Sequence, residues 1–554
     1  MTETTFAVAF AQVLEDLGVR HAFGVSGGAI SFFWSALGGT GIEVTHFRHE
    51  SGAAFAACEA SVASDAPVVV FVTTGPGLTN VLTGVYAARH EPARVILVSA
   101  FTDSGMHGRG PIQETGPRTL PHEGVFTPGP LFDIATVVTS SDELPALAGV
   151  LAEAVASRPR FVAHISLTLP AQRGPVRRAG VPPLTRGIPA TPGTAVKDTY
   201  ELLRDQRWVL WAGSGTRRAA GPVRRLADAA GVPVMATPRA KGVIAEDHPR
   251  YLGVTGFGGH PAVLAYLERE RPEYTLVLGT ALGDAACGYH PGYTPGTAFI
   301  HVDTDPSVPG KGYPEVKTVA VTADAGAFAD ELAALFEKRP ATGEATPAVV
   351  GSPFAAAGPV AHGGRVHPGH LMEVVQAVFV ENGHLVMAET GNAMAWAINR
   401  LRFTDPLHWR TPSGLVGSMG HCAAGVVGAA LATSRKTVAL VGDGSMLMLN
   451  EVSTAVATGA PAVWVVLNDS RYNMCAQGAE MLGLTNVDAS LPATDFAGYA
   501  RALGAGGISV RRPEELPGAL LAALDHPGPV VVDVPIAPAI GAPTEGRNAG
   551  LLRQ

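Results

Sequence analysis

Two acids and a run of glycines near the C-terminal end of the chain carry the clearest chemistry. In TVALVGDGSMLMLNEVSTAVATGAPAVWVVLNDSRYNM, Asp443 stands between Gly442 and Gly444 at the end of an apolar run, and Asp469 follows 26 residues later at the end of another. If both runs are parallel strands joined by a helix, the two carboxylates meet at neighbouring strand ends. Hard oxygen ligands gathered there suit Mg²⁺, which binds through a few carboxylates or carbonyls together with phosphate oxygens. Gly444 and Ser445 open the following helix, and their amides are suited to a diphosphate. A third acid, Glu50, lies in HFRHESGAAFAACEA at the start of an almost uncharged helix. It is read either as a helix-start acid favoured by the dipole or as a proton-exchanging acid lifted by apolar surroundings. Gly75, Pro76 and Gly77 in TTGPGLTN form a rigid turn that allows close backbone approach, with Asn80 just beyond it.

The elements that must position these residues are short β-branched runs alternating with helical patterns. VVVFVTT and VILVSA bracket a helix in the first third. WVLWAG, YTLVLGT and AFIHVDTD lie in the middle, and HLVMAE, TVALVGD, AVWVVLND and PVVVDVP in the last. Continuous apolar runs of this kind indicate parallel sheets covered on both faces, so the fold class is α/β with three doubly wound parallel-sheet domains. Pro- and Gly-rich stretches at 174–194 and 339–364 read as linkers. The expected domains are 1–173, 190–338 and 365–545. Ligands in such sheets bind beyond the carboxyl ends of strands, which draws attention also to Gly391 and Asn392, just past HLVMAE.

Taken together these segments resemble the thiamine-diphosphate enzymes of the acetolactate synthase and 2-oxo acid decarboxylase superfamily. The GDG with a paired Asn some two dozen residues on is similar to that family's cofactor motif, with Asp469 in place of the second Asn. The resemblance implies a third metal ligand in the backbone carbonyl of Arg471. It also implies that Glu50, in R-H-E, exchanges a proton with the cofactor's aminopyrimidine. The first block is then the pyrimidine-binding domain, the middle one a central Rossmann-like domain, and the third the diphosphate- and metal-binding domain. FGVSGGAISFFWSAL, GRGPIQETG and SGLVGSMGHCAAG resemble acetolactate synthase segments, with Ser26 in place of a proline. They place Gln113 near the reacting carbon and Ser418 beside Met419, which is either the apolar wedge that bends the cofactor or ordinary core filler. His421 is expected to be a substrate or proton-transfer group. Asn473, Met474 and Gln477 follow the metal strand and are expected to line the same pocket. Glu59 and Arg48 are read as surface or structural.

The departures matter as much. LGTALGDAACGYH lacks the arginine-bearing segment that supports FAD and a second pyruvate, so FAD is not expected. Single histidines, His107 and His122, stand where simple pyruvate decarboxylases carry an adjacent pair. The expected function is therefore a carboligase that decarboxylates a 2-oxo acid and joins it to a carbonyl acceptor. The alternatives are a non-ligating decarboxylase and a flavin-containing oxidase of the same fold. The resemblance further implies a homodimer or homotetramer with active sites at the subunit interface.

Bulk properties narrow the partners. At 554 residues the chain exceeds one core, and 47% hydrophobic with 16% charged residues describes an ordinary globular protein. A net charge of −8 without a long basic run argues against nucleic acid or an anionic membrane. Four scattered cysteines show no C-x-x-C spacing and read as free thiols. The N-terminus reads as an amphipathic helix and not an export signal, and no apolar run spans a bilayer, so a cytoplasmic location is expected.

Overall fold

A computed structural model describes residues 3–177, 180, 193–339, 352–354 and 359–544. It contains three six-stranded sheets, each wholly parallel. The first runs Glu43–His46, His21–Val25, Val68–Val72, Arg94–Phe101, Phe161–Thr168, Ile134–Val138. The second runs Tyr251–Val254, Val234–Ala236, Trp208–Ala212, Tyr274–Leu278, Ala298–Asp303, Thr318–Thr322. The third runs Trp409–Arg410, Leu385–Ala388, Thr437–Gly442, Ala462–Asn468, Val530–Pro535, Gly506–Ser509. Every β-branched run marked in the sequence lies in one of these sheets. The central strands are buried along their whole length, as expected where helices cover both faces. The α/β class with three parallel sheets is the observed architecture.

Two local features differ from the sequence reading. The N-terminal helix is Phe6–Asp16, capped by the Thr5 side chain, but Glu3–Thr5 before it is a strand paired antiparallel with Pro175–Arg177. Three residues are too few to show an alternating pattern, and their partner is distant in sequence. Much of the expected linkers at 174–194 and 339–364 lies outside the described residues. Of the remainder, Ala361–His362 pairs with Arg365–Val366, and Val366 bridges to Ile536 in the third block.

The domains are joined by continuous apolar contact. One buried cluster runs from Trp208 and Phe336 in the central block to Trp396 and Trp409 in the third block. Another joins Phe23 and Phe132 of the first block to Trp464 and Met387 of the third. Its backbone is a pair of helices, Glu50–Ser64 against His421–Thr433. Both are rich in small residues, which let the axes close up: a Cβ on Gly428 would strike the Ala56 carbonyl, and one on Gly425 would lie 2.7 Å from Glu59 Cγ. Burial on both sides explains why Glu50–Ser64 shows no amphipathic stripe.

Candidate active site

At the carboxyl ends of the first sheet, the residues singled out from sequence gather into one cluster. Glu50 is the first residue of its helix and is 9% exposed. Asn80 Nδ2 donates to Glu50 Oε2 at 3.1 Å, and Ser51 Oγ donates to the Asn80 carbonyl. Gly75 holds φ +61°, a conformation glycine adopts without penalty. A Cβ there would come within 2.9 Å of Gln113 Cβ, so the glycine is also what lets Gln113 close on the turn. Pro76 starts the helix Pro76–Arg89, and a Cβ on Gly77 would lie 3.7 Å from Glu50 Oε1. Gln113 itself sits at φ +56°, with Thr74 Oγ1 donating to its Oε1 at 3.3 Å. Glu50, Gly75, Pro76, Gly77, Asn80 and Gln113 thus share one crevice.

The third sheet assembles the other half. Asp443 ends its strand and is 4% exposed; Asp469 follows the neighbouring strand and is 8% exposed. Asp443 Oδ1 accepts from Gly444 N at 2.7 Å, and its Oδ2 accepts from Asp469 N at 3.2 Å and Arg471 N at 3.3 Å. Asn473 Nδ2 donates to Asp469 Oδ2 at 2.6 Å. Burial raises the Asp443 carboxyl above its ordinary range. Burial, and then the charge of Asp443, lift Asp469 to about 6. A cation between them would relieve both effects, so the donor set fits a hard divalent metal. Gly444 is hemmed in: a Cβ would lie 2.6 Å from the Tyr472 ring and 3.5 Å from Met419 Cε. Met419 thus lies against the Gly444 turn, beside half-buried Ser418, and Ser445 is buried within the helix Asp443–Met448. At Gly391, φ is +127° and open space faces its Cα, as it does at Gly442. Asn392 Nδ2 donates to Gln477 Oε1 at 3.2 Å, while its Oδ1 is buried without a hydrogen-bond partner. Met474, half-buried, lies in the helix Asn473–Met481.

His421 does not take the place expected of it. It is 1% exposed, its Nε2 is 2.6 Å from Glu59 Oε1, and its ring lies 4.8 Å from that of Phe55. It is walled into the contact between two domains and cannot meet substrate; the sequence showed its neighbour Met419 but not which way the helix turns it. Of the two readings of Glu59, surface or structural, the structure shows the structural one: it is 2% exposed. Arg410 grips both its oxygens, Nε to Oε2 at 2.7 Å and Nη2 to Oε1 at 2.6 Å, and also reaches Glu91 Oε2 at 2.9 Å. Arg239 of the central block pairs with the same Glu91. The result is a buried ionic junction of three domains. Burial works to raise the Glu59 carboxyl, but the Arg410 guanidinium and the His421 bond outweigh it and hold it well below the usual range. Cys58, Glu59 and His421 bring ligand atoms within 4.8 Å of one another, yet Arg410 already occupies both carboxylate oxygens, which leaves no room for a metal's charge. Cys58, Cys287 and Cys422 are buried free thiols and Cys475 is exposed.

Glu389 went unmarked in the sequence. Fully buried at the end of Leu385–Ala388, its Oε2 accepts from Cys422 N and Ala423 N and its Oε1 from Thr390 N. One carboxylate thereby ties the Gly391 loop to the Met419 corner, and burial pushes it up to about 7. An acid directly after an apolar strand was the available signal. His107 Nε2 is bound to the Thr102 carbonyl at 2.8 Å, and His122 is exposed against Phe126. In the central sheet Gly213 and Gly215 press against Gly279, with Gly215 N donating to the Gly279 carbonyl at 2.9 Å, and Arg217 reaches the Pro406 and Trp409 carbonyls. The Gly-x-Gly turn and its arginine hold backbone and domain contacts.

Three domain families match the three blocks. The N-terminal TPP binding domain of the thiamine pyrophosphate enzymes matches residues 4–118, their central domain 198–332, and their C-terminal TPP binding domain 389–534. The chain belongs to the thiamine pyrophosphate enzymes. Within that class it is 29% identical over 525 residues to a putative acetolactate synthase large subunit of Mycobacterium tuberculosis, covering 91% of this chain and 93% of that one. It is 27% identical over 536 residues to acetolactate synthase isozyme 1 large subunit of Escherichia coli, covering 94% and 92%. A benzoylformate decarboxylase structure from Polynucleobacter necessarius shares the fold with a TM-score of 0.82 at 21% identity, covering 97% and 99%. Among the described residues no helix is long and apolar enough to cross a membrane.

Proposed function

We propose that this chain is a thiamine-diphosphate- and Mg²⁺-dependent carboligase acting on a 2-oxo acid donor and a carbonyl acceptor. The bound cofactor supplies a carbon nucleophile and an electron sink. Asp443, Asp469 and the Arg471 carbonyl would hold the metal, the Gly444 and Ser445 amides and Asn392 the diphosphate, and Met419 the bend between the rings. Glu50, kept in place by Asn80, would hold and return a proton at the aminopyrimidine. Gly75, Pro76 and Gly77 let the backbone approach that ring.

The observation that carries ligation is Gln113. Thr74 takes its Oε1, so its NH₂ remains for a substrate oxygen, whereas the nearby His107 ring is bound to a backbone carbonyl. An amide orients a carbonyl but transfers no proton, which favours C–C bond formation over simple protonation to an aldehyde. The relatives named acetolactate synthase agree with a ligating reaction. The arginine-free LGTALGDAACGYH segment favours an aldehyde or larger ketone over pyruvate as acceptor.

A dimer is the proposed working unit. Among the described residues no hydrogen bond or ion pair joins Glu50, Asn80 or Gln113 to Asp443, Asp469 or Asn392 of the same chain. Apolar Ile112, Leu415 and Leu484 on loops, and Met448 at a helix end, stand exposed around the two halves, as suits a second copy. The test is a mass-spectrometric screen of 2-oxo acids with cofactor and Mg²⁺, with and without an added aldehyde. Ligated product is expected with the aldehyde. Aldehyde release alone would refute ligation, and efficient acetolactate formation from pyruvate alone would refute the acceptor assignment.

A further inference from the structure

The candidate metal half-site presents two carboxylates, Asp443 and Asp469, just past the ends of neighbouring parallel strands. The charge of Arg471 bears on Asp469, but no cationic side chain among the described residues closes to ion-pair distance of either acid. Asp443 and Asp469 are both more than nine-tenths buried, and the Asp469 amide lies 3.2 Å from Asp443 Oδ2. Asn473, an uncharged donor, fixes Asp469 Oδ2 at 2.6 Å, so the carboxylate is held in the site and does not swing out to water. The match of 389–534 to the cofactor-binding domain is the ground, separate from their acidity, for treating the two acids as a ligand set.

Charge counting gives the consequence. A divalent cation held by one carboxylate, an amide and a carbonyl keeps a net positive charge, and the cofactor's diphosphate completes its neutralisation. With two carboxylates the protein alone matches the charge of the cation. We propose that Asp469 uncouples metal uptake from the diphosphate: this chain binds a divalent cation of the Mg²⁺ or Mn²⁺ class before, and without, the cofactor. The inference rests on the reading of Asp443 and Asp469 as metal ligands. Its cost falls on the second step, since the diphosphate then meets a neutral site and gains less from the metal than it would from a positive one.

The experiment uses the full chain stripped of cofactor and follows free Mn²⁺ by electron paramagnetic resonance. Wild type and the near-isosteric Asp469→Asn are titrated with Mn²⁺ alone, then with saturating thiamine diphosphate present. Wild type is expected to bind one Mn²⁺ per chain without cofactor. Asp469→Asn should bind Mn²⁺ alone about ten-fold or more weakly, yet fall within about three-fold of wild type once the cofactor is present. The proposal is overturned if wild type takes up no Mn²⁺ until cofactor is added, a result that needs no variant. It is equally overturned if Asp469→Asn binds Mn²⁺ alone as tightly as wild type. Failure of the underlying reading looks different: wild type would then bind no thiamine diphosphate at any Mn²⁺ concentration.

Discussion

Replacing Arg410 by methionine should be among the most destabilising single changes in this protein. The guanidinium holds both Glu59 oxygens, at 2.7 and 2.6 Å, and reaches Glu91 at 2.9 Å, with all three side chains at most 3% exposed. Methionine fills similar volume but leaves two buried carboxylates facing each other, answered by His421 at Glu59 and by Arg239 and the Ser413 N–H at Glu91. Removing one partner of a buried ion pair typically costs about 3–5 kcal/mol, because the remaining charge is stranded and not because the pair itself was strongly favourable. The same logic predicts that adding Glu59→Leu to Arg410→Met restores more than half of the loss, since one stranded charge disappears with it. The assay is urea unfolding followed by tryptophan fluorescence, for which Trp409, buried beside Arg410 with its indole N–H on the Pro238 carbonyl, is a local reporter. A loss for Arg410→Met below about 1 kcal/mol would show that the junction is dispensable. Additive losses in the double variant would refute the stranded-charge account.

Three further outcomes follow from the same structure. Glu50→Gln keeps an acceptor for Asn80 but cannot exchange a proton, so kcat should fall about 10²–10⁴-fold with cofactor affinity little changed; parallel loss of cofactor binding would contradict this. Gly444→Ala drives a methyl into the Tyr472 ring and against Met419, and thiamine diphosphate should bind about ten-fold or more weakly, with Tyr472→Ala restoring part of the loss; isothermal titration reads both, and an unaffected Gly444→Ala would disprove the crowding. His164 is fully buried with Nδ1 on the Val125 carbonyl, and burial lowers it to about 4 from its ordinary 6.5. The unfolded chain therefore takes up a proton that the native state refuses. Stability should be full above pH 6.5 and fall by about 3 kcal/mol toward pH 4, and His164→Gln should flatten that slope in unfolding curves taken across the range.

Much of the architecture was legible because it is written in local pattern. Parallel strands buried on both faces need unbroken β-branched runs, and those runs located all three sheets. Strand ends then marked Asp443, Asp469, Gly75 and Glu50, since ligands in such sheets gather there. The N-terminal strand pair was not legible, because its three residues gain meaning only from a partner at 175–177.

By itself, then, the amino-acid sequence pointed to the cofactor class through its resemblance to the thiamine-diphosphate enzymes, and it placed acids and glycines at strand ends, where ligands of parallel sheets gather. Only the tertiary structure decided how buried charge is used. His421 and Glu59 carry no sequence mark separating a substrate-facing group from a domain clasp; that choice depends on Arg410, some 350 residues from Glu59 in the chain. Glu389 becomes a bracket between the Thr390–Gly391 turn and the start of the helix His421–Thr433 only when that helix arrives above it. Electrostatics in a low-dielectric interior is a matter of neighbours, and those neighbours come from three domains that only the folded chain brings together.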